Sequence, residues 1–274
     1  MSYATIMVHL LAGQANDVVL AVAAQLARRH DARLVGIAAT RPLPFMDSGF
    51  YDNSLSVALL QDNMVQETAD AEREFRGAFA TAKHPVEWRS KWTCMALADY
   101  ISGEARCADL ILTSPVPHSL FNSARHVNMG ELVLHAGCPV IVIPQTDAAA
   151  AFERVVVASK DTREARRAVR DAIPLLKLAK TVTIVEIADK NEVVTAQARA
   201  DDVAVWLAGH EIKSQTHAAP SVGDDAATLE AIFRDEHADL IVAGAYGHSR
   251  MREWAFGGVT RSILHGERCA LLSH

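Results

Sequence analysis

Along this 274-residue chain, two hydrophobic rhythms alternate. Short apolar runs of strand length give way to longer stretches in which apolar residues recur at helical spacing, and then a strand-like run returns. Strands are predicted near 3–10, 33–40, 86–93, 109–114 and 139–143, and again near 153–159, 181–187, 211–217, 239–243 and 269–273. Strands alternating with helices imply a parallel sheet with helices on its faces, so the fold class is α/β. Near-continuous apolar runs such as Pro139-Val140-Ile141-Val142-Ile143 fit strands that are covered on both sides.

The pattern is written twice. Ala108-Asp109-Leu110-Ile111-Leu112 matches Ala238-Asp239-Leu240-Ile241-Val242, and Thr5-Ile6-Met7-Val8 resembles Arg154-Val155-Val156-Val157. Leu134-His135 returns as Leu264-His265, and Cys138 and Cys269 both open a last strand. An alanine-rich link from Thr146 to Ala151 sets the expected boundary, giving domains 1–146 and 152–274. The first half carries extra sequence from Leu43 to Asn53, which reads as a loop before a long helix from Ser54 to about Ala82. Phe45, Phe50 and Tyr51 in that loop are expected to pack within it, with a pocket mouth or an interface as the alternatives.

Composition narrows the function classes. Half of the residues are hydrophobic, enough for two real cores, and the formal charge is −6. That balance argues against a general nucleic-acid or anionic-membrane binder. The N-terminus runs straight into a strand pattern, with no signal-peptide layout, and no apolar run approaches the roughly 18 residues of a membrane span. Cys94, Cys107, Cys138 and Cys269 are widely spaced and form no CxxC pair. Reduced thiols in a cytoplasmic protein are the expectation.

The chemistry concentrates near the C-terminus. A strand from Asp239 to Ala243 runs into Gly244, followed by Gly247, Gly257 and Gly258. Glycines after an α/β strand let backbone N–H groups crowd around a phosphate, and a following helix N-terminus favours negative charge there. The tandem repeat and this G-x2-G-x9-G spacing resemble the universal stress protein family in its two-domain form. The resemblance implies two tandem five-stranded parallel-sheet sandwich domains of strand order 3-2-1-4-5. They would associate as a pseudo-two-fold internal pair through Pro139–Ile143 and Cys269–Ser273. A homodimer between chains is the alternative.

The resemblance also implies ATP, with Mg²⁺, as a possible ligand of the second half. Gly244 and Gly247 would wrap phosphates or ribose, and Gly257, Gly258, Val259 and Thr260 would surround the terminal phosphates. Two positions depart from the family pattern. Gly258 stands where Ser or Thr follows the third glycine, with Thr260 as substitute or helix cap. Lys160, after Ala158 and Ser159, stands where an Asp ends the first strand, with Asp161 one place late. Lys160 could meet a phosphate as a point charge. Asp161-Thr162-Arg163-Glu164 reads as a capping box opening a helix through Ile173.

In the first half the fourth strand exits through Thr113-Ser114-Pro115-Val116-Pro117-His118, where two prolines remove N–H donors. Leu11 lies about where the Asp would be, and only Gly130 survives near the later motif. This half is expected to be a degenerate partner domain.

Other constellations are weaker. His248, Arg250, Arg252 and Arg261 make a local anion site or a solvated basic loop balanced by Glu253. Trp254 and Phe256 suit loop anchoring better than base stacking. His135-x2-Cys138 and His265-x3-Cys269 are single pairs without a structural-zinc pattern. His9 reads as a satisfied edge residue. The chain has no G-x-S-x-G elbow and no P-loop, and Asp109 and Asp239 sit at strand starts, opposite the carboxyl-end pocket. A turnover enzyme is therefore not the leading reading. Three readings stay open: a stress-response protein binding an adenine nucleotide as regulatory ligand, a nucleotide-free interaction protein or binder of another small ligand with an unidentified protein partner, and slow ATP hydrolysis.

Overall fold

The computed structural model describes residues 2–41, 54–115, 127–145, 151–246 and 268–274, and within these it leaves the side chains of 54–60 undescribed. The loop from Leu43 to Asn53 and the segment from Gly247 to Glu267 lie outside the described residues. The chain folds as two compact units, Tyr3–Cys138 and Pro139–His274.

The first unit runs β1 (Thr5–His9), α1 (Asp17–His30), β2 (Arg33–Thr40), α2 (Ser54–Ala78), β3 (Glu87–Trp92), α3 (Leu97–Glu104), β4 (Leu110–Thr113) and α4 (Met129–His135). Its strands pair in parallel in the order β3-β2-β1-β4. β1 and β4 are the central strands, and Ile6, Val8, Leu110, Ile111 and Leu112 are completely buried. Gly130 falls in the first turn of α4, where Asn128 caps Glu131, so it belongs to a helix and not to a phosphate loop. α2 ends at Ala78, a turn earlier than its sequence pattern suggests.

The second unit begins with β5 (Val140–Val142), the last strand of the first sequence repeat. It continues with β6 (Arg154–Ser159), α5 (Arg163–Leu176), β7 (Thr181–Ala188), α6 (Val193–Ala208), β8 (Gln215–Pro220), α7 (Asp225–Asp235), β9 (Leu240–Gly244) and β10 (Ala270–Ser273). The order β10-β9-β6-β7-β8 is parallel throughout and gives the expected 3-2-1-4-5 arrangement. β5 joins antiparallel to β10, with Val142 opposite Ala270 and Val140 opposite Leu272.

One strand differs from the sequence expectation. Residues 211–217 were expected to pair, but β8 starts at Gln215. The reason is the end of α6: the amide of Ile212 folds back onto the carbonyl of Leu207 at 3.0 Å, and Glu211 takes a left-handed φ of 66°. The helix termination uses up the residues that apolar patterning assigned to the strand.

The same clamp closes both sheets. Asp109, just before β4, accepts the amides of Ala4 and Thr5 at 2.7 and 2.9 Å, and its own amide donates to the Thr5 carbonyl. Asp239, just before β9, accepts the amides of Glu153 and Arg154 at 2.9 Å each, and its amide donates to the Arg154 carbonyl. Both aspartates therefore align the first and fourth strands of a repeat at their amino ends, the structural role expected of them.

His9 corrects an expectation. It is satisfied, as anticipated, but on a central strand and not at an edge: Nδ1 lies 2.8 Å from the Thr113 hydroxyl, and the residue is buried. Burial pushes its pKa down to about 4. The folded state thus keeps His9 neutral where the unfolded chain would protonate it. The resulting stability is fully present above about pH 6.5 and is lost as the pH falls through about 4, a swing of about 3 kcal/mol. Urea unfolding at pH 7 and pH 4.5 tests this. His9→Asn should show a shallower acid loss than the parent, and parallel profiles for the two proteins would refute it.

Candidate functional site

The carboxyl ends of β6 and β9 meet at the point where the strand order reverses, the usual ligand crevice of an open α/β sheet. Of the sequence-predicted residues, Ala158, Lys160 and Gly244 are described, and all three come to this end. Ala158 pairs with Ala243, directly before Gly244, and Lys160 follows β6 as an exposed side chain. Gly247, His248, Arg250, Gly257, Gly258, Val259 and Thr260 lie outside the described residues, as do Arg252, Trp254, Phe256 and Arg261.

Gly244 has a packing reason to be glycine. A Cβ there would lie 2.3 Å from the backbone nitrogen of Ala165 and 2.5 Å from the carbonyl carbon of Glu164. Both belong to the first turn of α5, so the strand exit presses directly against helix backbone. Two residues on, Tyr246 adopts a left-handed φ of 61°, an unfavourable conformation for a side-chain-bearing residue. The chain thus leaves β9 along a tightly constrained path.

The start of α5 corrects the capping-box reading. Thr162, not Asp161, is the N-cap: its hydroxyl accepts the Ala165 amide at 3.2 Å. Asp161 instead forms an exposed ion pair with Arg166 at 2.7 Å. The helix continues past Ile173 to Leu176. Glu164 is buried in the first turn and bonded to Arg163. Burial alone would raise its pKa, but the Arg163 and backbone hydrogen bonds hold it below the usual carboxylate range. A carboxylate therefore already occupies the positive end of α5.

Beside this junction lies a cavity of about 300 Å³. Its walls come from the ends of β6 and β7, the residue after β8, and the amino ends of α5 and α7, with Arg199 reaching in from α6. β9 contributes nothing to the lining. Among the described residues, the lining has five carboxylates (Asp161, Glu186, Asp189, Glu192 and Asp225) against two cations, Lys160 and Arg199. A second hollow of about 370 Å³ continues between α5 and α6 toward Val203 and Trp206 and shares Glu186 and Arg199.

Glu186 is the residue that the sequence reading missed. It pairs in register with Ser159, is only 2% exposed, and places Oε1 on the Arg199 guanidinium, 2.8 Å from Nε. That bond raises the Arg199 pKa. Glu186 Oε2 is buried and has no hydrogen-bond partner. The signal was present as the one charge within the apolar strand TVTIVEIA. Among the described residues, no three His, Cys, Asp or Glu side chains converge on a metal position.

A universal stress protein family model matches residues 151–272. The chain carries a universal stress protein domain. A universal stress protein from Archaeoglobus fulgidus superposes along 98% of this chain and 95% of its own, with a TM-score of 0.74 and 12% identity. A putative universal stress protein from Pseudomonas aeruginosa covers 99% and 93% with a TM-score of 0.63 and 17% identity. A functionally unknown protein from the same species covers 99% and 92% with a TM-score of 0.62, also at 17% identity. These structures share the fold of the universal stress protein domain and its tandem partner. No curated protein matches the sequence.

Within the universal stress protein domain, Gly244→Ala should cost about 3 kcal/mol, because backbone, which cannot rotate away, meets the new methyl. Chemical denaturation checks this. Unchanged stability would mean that the first turn of α5 gives way at no cost.

Proposed function

We propose that this protein is a cytoplasmic stress-response protein that binds an adenine nucleotide in its second unit as a regulatory ligand. The observation that carries the reading is the junction of Gly244 with the first turn of α5. It directs the chain from β9 into the glycine spacing at the strand-order reversal, with the exposed Lys160 at the same sheet end. Glycine loops in this position present backbone N–H groups to phosphates. The exposed free thiols of Cys94 and Cys107 fit a reducing compartment. No described helix is long and apolar enough to cross a membrane. The antiparallel ladder between the last strands of the two repeats supports the internal pairing as the mode of association.

A second reading, a stress protein that takes a ligand other than a nucleotide, is favoured by one observation. The cavity beside Lys160 has an excess of carboxylates, which repel phosphates. Calorimetric titration of nucleotide-stripped protein with ATP and Mg²⁺ separates the two. The nucleotide reading expects saturable one-to-one binding that Gly247→Val abolishes. Absence of binding, or affinity unchanged in Gly247→Val, would leave the glycine loop without a nucleotide and favour the second reading.

A further inference from the structure

Glu186 carries an inference that goes beyond the glycine loop. A buried carboxylate oxygen without a hydrogen-bond donor is costly, because water has been stripped from it and nothing replaces the lost bonds. Glu186 Oε2 is such an atom, while Oε1 is committed to Arg199. The group lines a cavity large enough for a small molecule, and the described residues of that lining carry an excess of three negative charges once Lys160 and Arg199 are counted. Asp189 and Glu192 are exposed at the rim, and Asp225 is half-buried with one oxygen accepting the Ser221 hydroxyl at 2.6 Å. The arrangement is a buried acceptor at one place and further acceptors nearer solvent.

We propose that this cavity binds a small organic cation bearing N–H donors, a primary amine or guanidinium, with Glu186 Oε2 as its buried acceptor and Asp225 as a second anchor. An ammonium or guanidinium group supplies both the missing donor and the compensating charge. A metal ion fits less well, since no three acidic, histidine or cysteine side chains among the described residues converge on one point. A phosphate-bearing ligand meets the wrong field. Lys160 borders this cavity as well as the sheet end of the nucleotide reading, whereas Glu186 and Asp225 take no part in that reading.

The test is calorimetric titration of the full-length protein with two probes, 1,4-diaminobutane and 4-guanidinobutylamine, at low salt, with uncharged 1,4-butanediol as control. Saturable one-to-one binding of at least one cation is expected, and none of the diol. Glu186→Gln should weaken it at least tenfold and Asp225→Asn several-fold. Circular dichroism and the unfolding midpoint confirm that each variant is folded. Asp225→Asn, away from the Arg199 pair, keeps the test valid should Glu186→Gln disturb the fold. Saturation by neither cation, equal binding of the diol, or full affinity in a folded Glu186→Gln protein would overturn the proposal.

Discussion

The site end of the second unit depends on one steric constraint, the backbone-to-backbone contact between Gly244 and the first turn of α5. Strand exits in α/β sheets usually keep a side chain's thickness between themselves and the neighbouring helix. Here that thickness is absent, with the Ala165 nitrogen 2.3 Å from where a Cβ would be. The contact fixes the position of the α5 amino end over β9, and with it Thr162, Asp161 and Lys160, the residues that turn from β6 into the helix. It gives Gly244 two compatible explanations, packing and phosphate approach, and the first is independent of any ligand. A glycine motif is therefore less specific for nucleotide at its first position than at its later ones.

The two repeats share their clamps and differ in their interiors. Asp109 and Asp239 make the same three backbone bonds at the amino ends of the sheets, so the aligned first and fourth strands survive in both. At the carboxyl ends the chemistry separates. In the first unit, β1 ends in His9, closed onto Thr113, with Ser114 and Leu11 also buried. That is a satisfied, neutral interior. In the second unit, β6 ends in Lys160 beside a cavity, and the neighbouring strand carries Glu186 with an unpaired oxygen. Polar groups that satisfy one another stabilise a fold, whereas a buried acceptor without a donor, on a residue that lines a cavity, suits a ligand.

Much of this fold was legible in the sequence because burial on both faces produces short, unbroken runs of β-branched and leucine residues. Val155-Val156-Val157 and Leu110-Ile111-Leu112 could be read as strands on pattern alone, and the doubled Ala-Asp-Leu-Ile segment gave both the repeat and the structural aspartates. Edge strands carry a weaker signal. Gln215–Pro220 alternates half-exposed positions with only Ala219 buried, so the apolar Ile212 that terminates α6 outweighed it. The cap of α5 slipped by one residue for a similar reason: Asp161 and Thr162 are both good caps, and only the backbone geometry of the β6–α5 turn decides between them.

The site was harder to read than the fold, because motif matching searches for residues that a known chemistry needs. It named Gly244, Ala158 and Lys160, which the structure brings to one end of the sheet, and it read Lys160 both as the loss of an aspartate and as a point charge for a phosphate. Glu186 belongs to no motif, yet physical reasoning could single it out: a lone carboxylate in an otherwise apolar strand must find a partner or a ligand, since isolated burial of its charge is prohibitive. Arg199 answers half of that requirement through one oxygen. The position of the acceptor matters more than the family pattern here. Glu186 puts a negative charge at the end of the strand beside β6, while Lys160 stands just past the end of β6 itself, so a ligand meets an acceptor on one strand and a cation after the other. Families of one fold can change ligand in this way without altering a strand, because the sheet fixes where side chains arrive and only their charge decides what they hold.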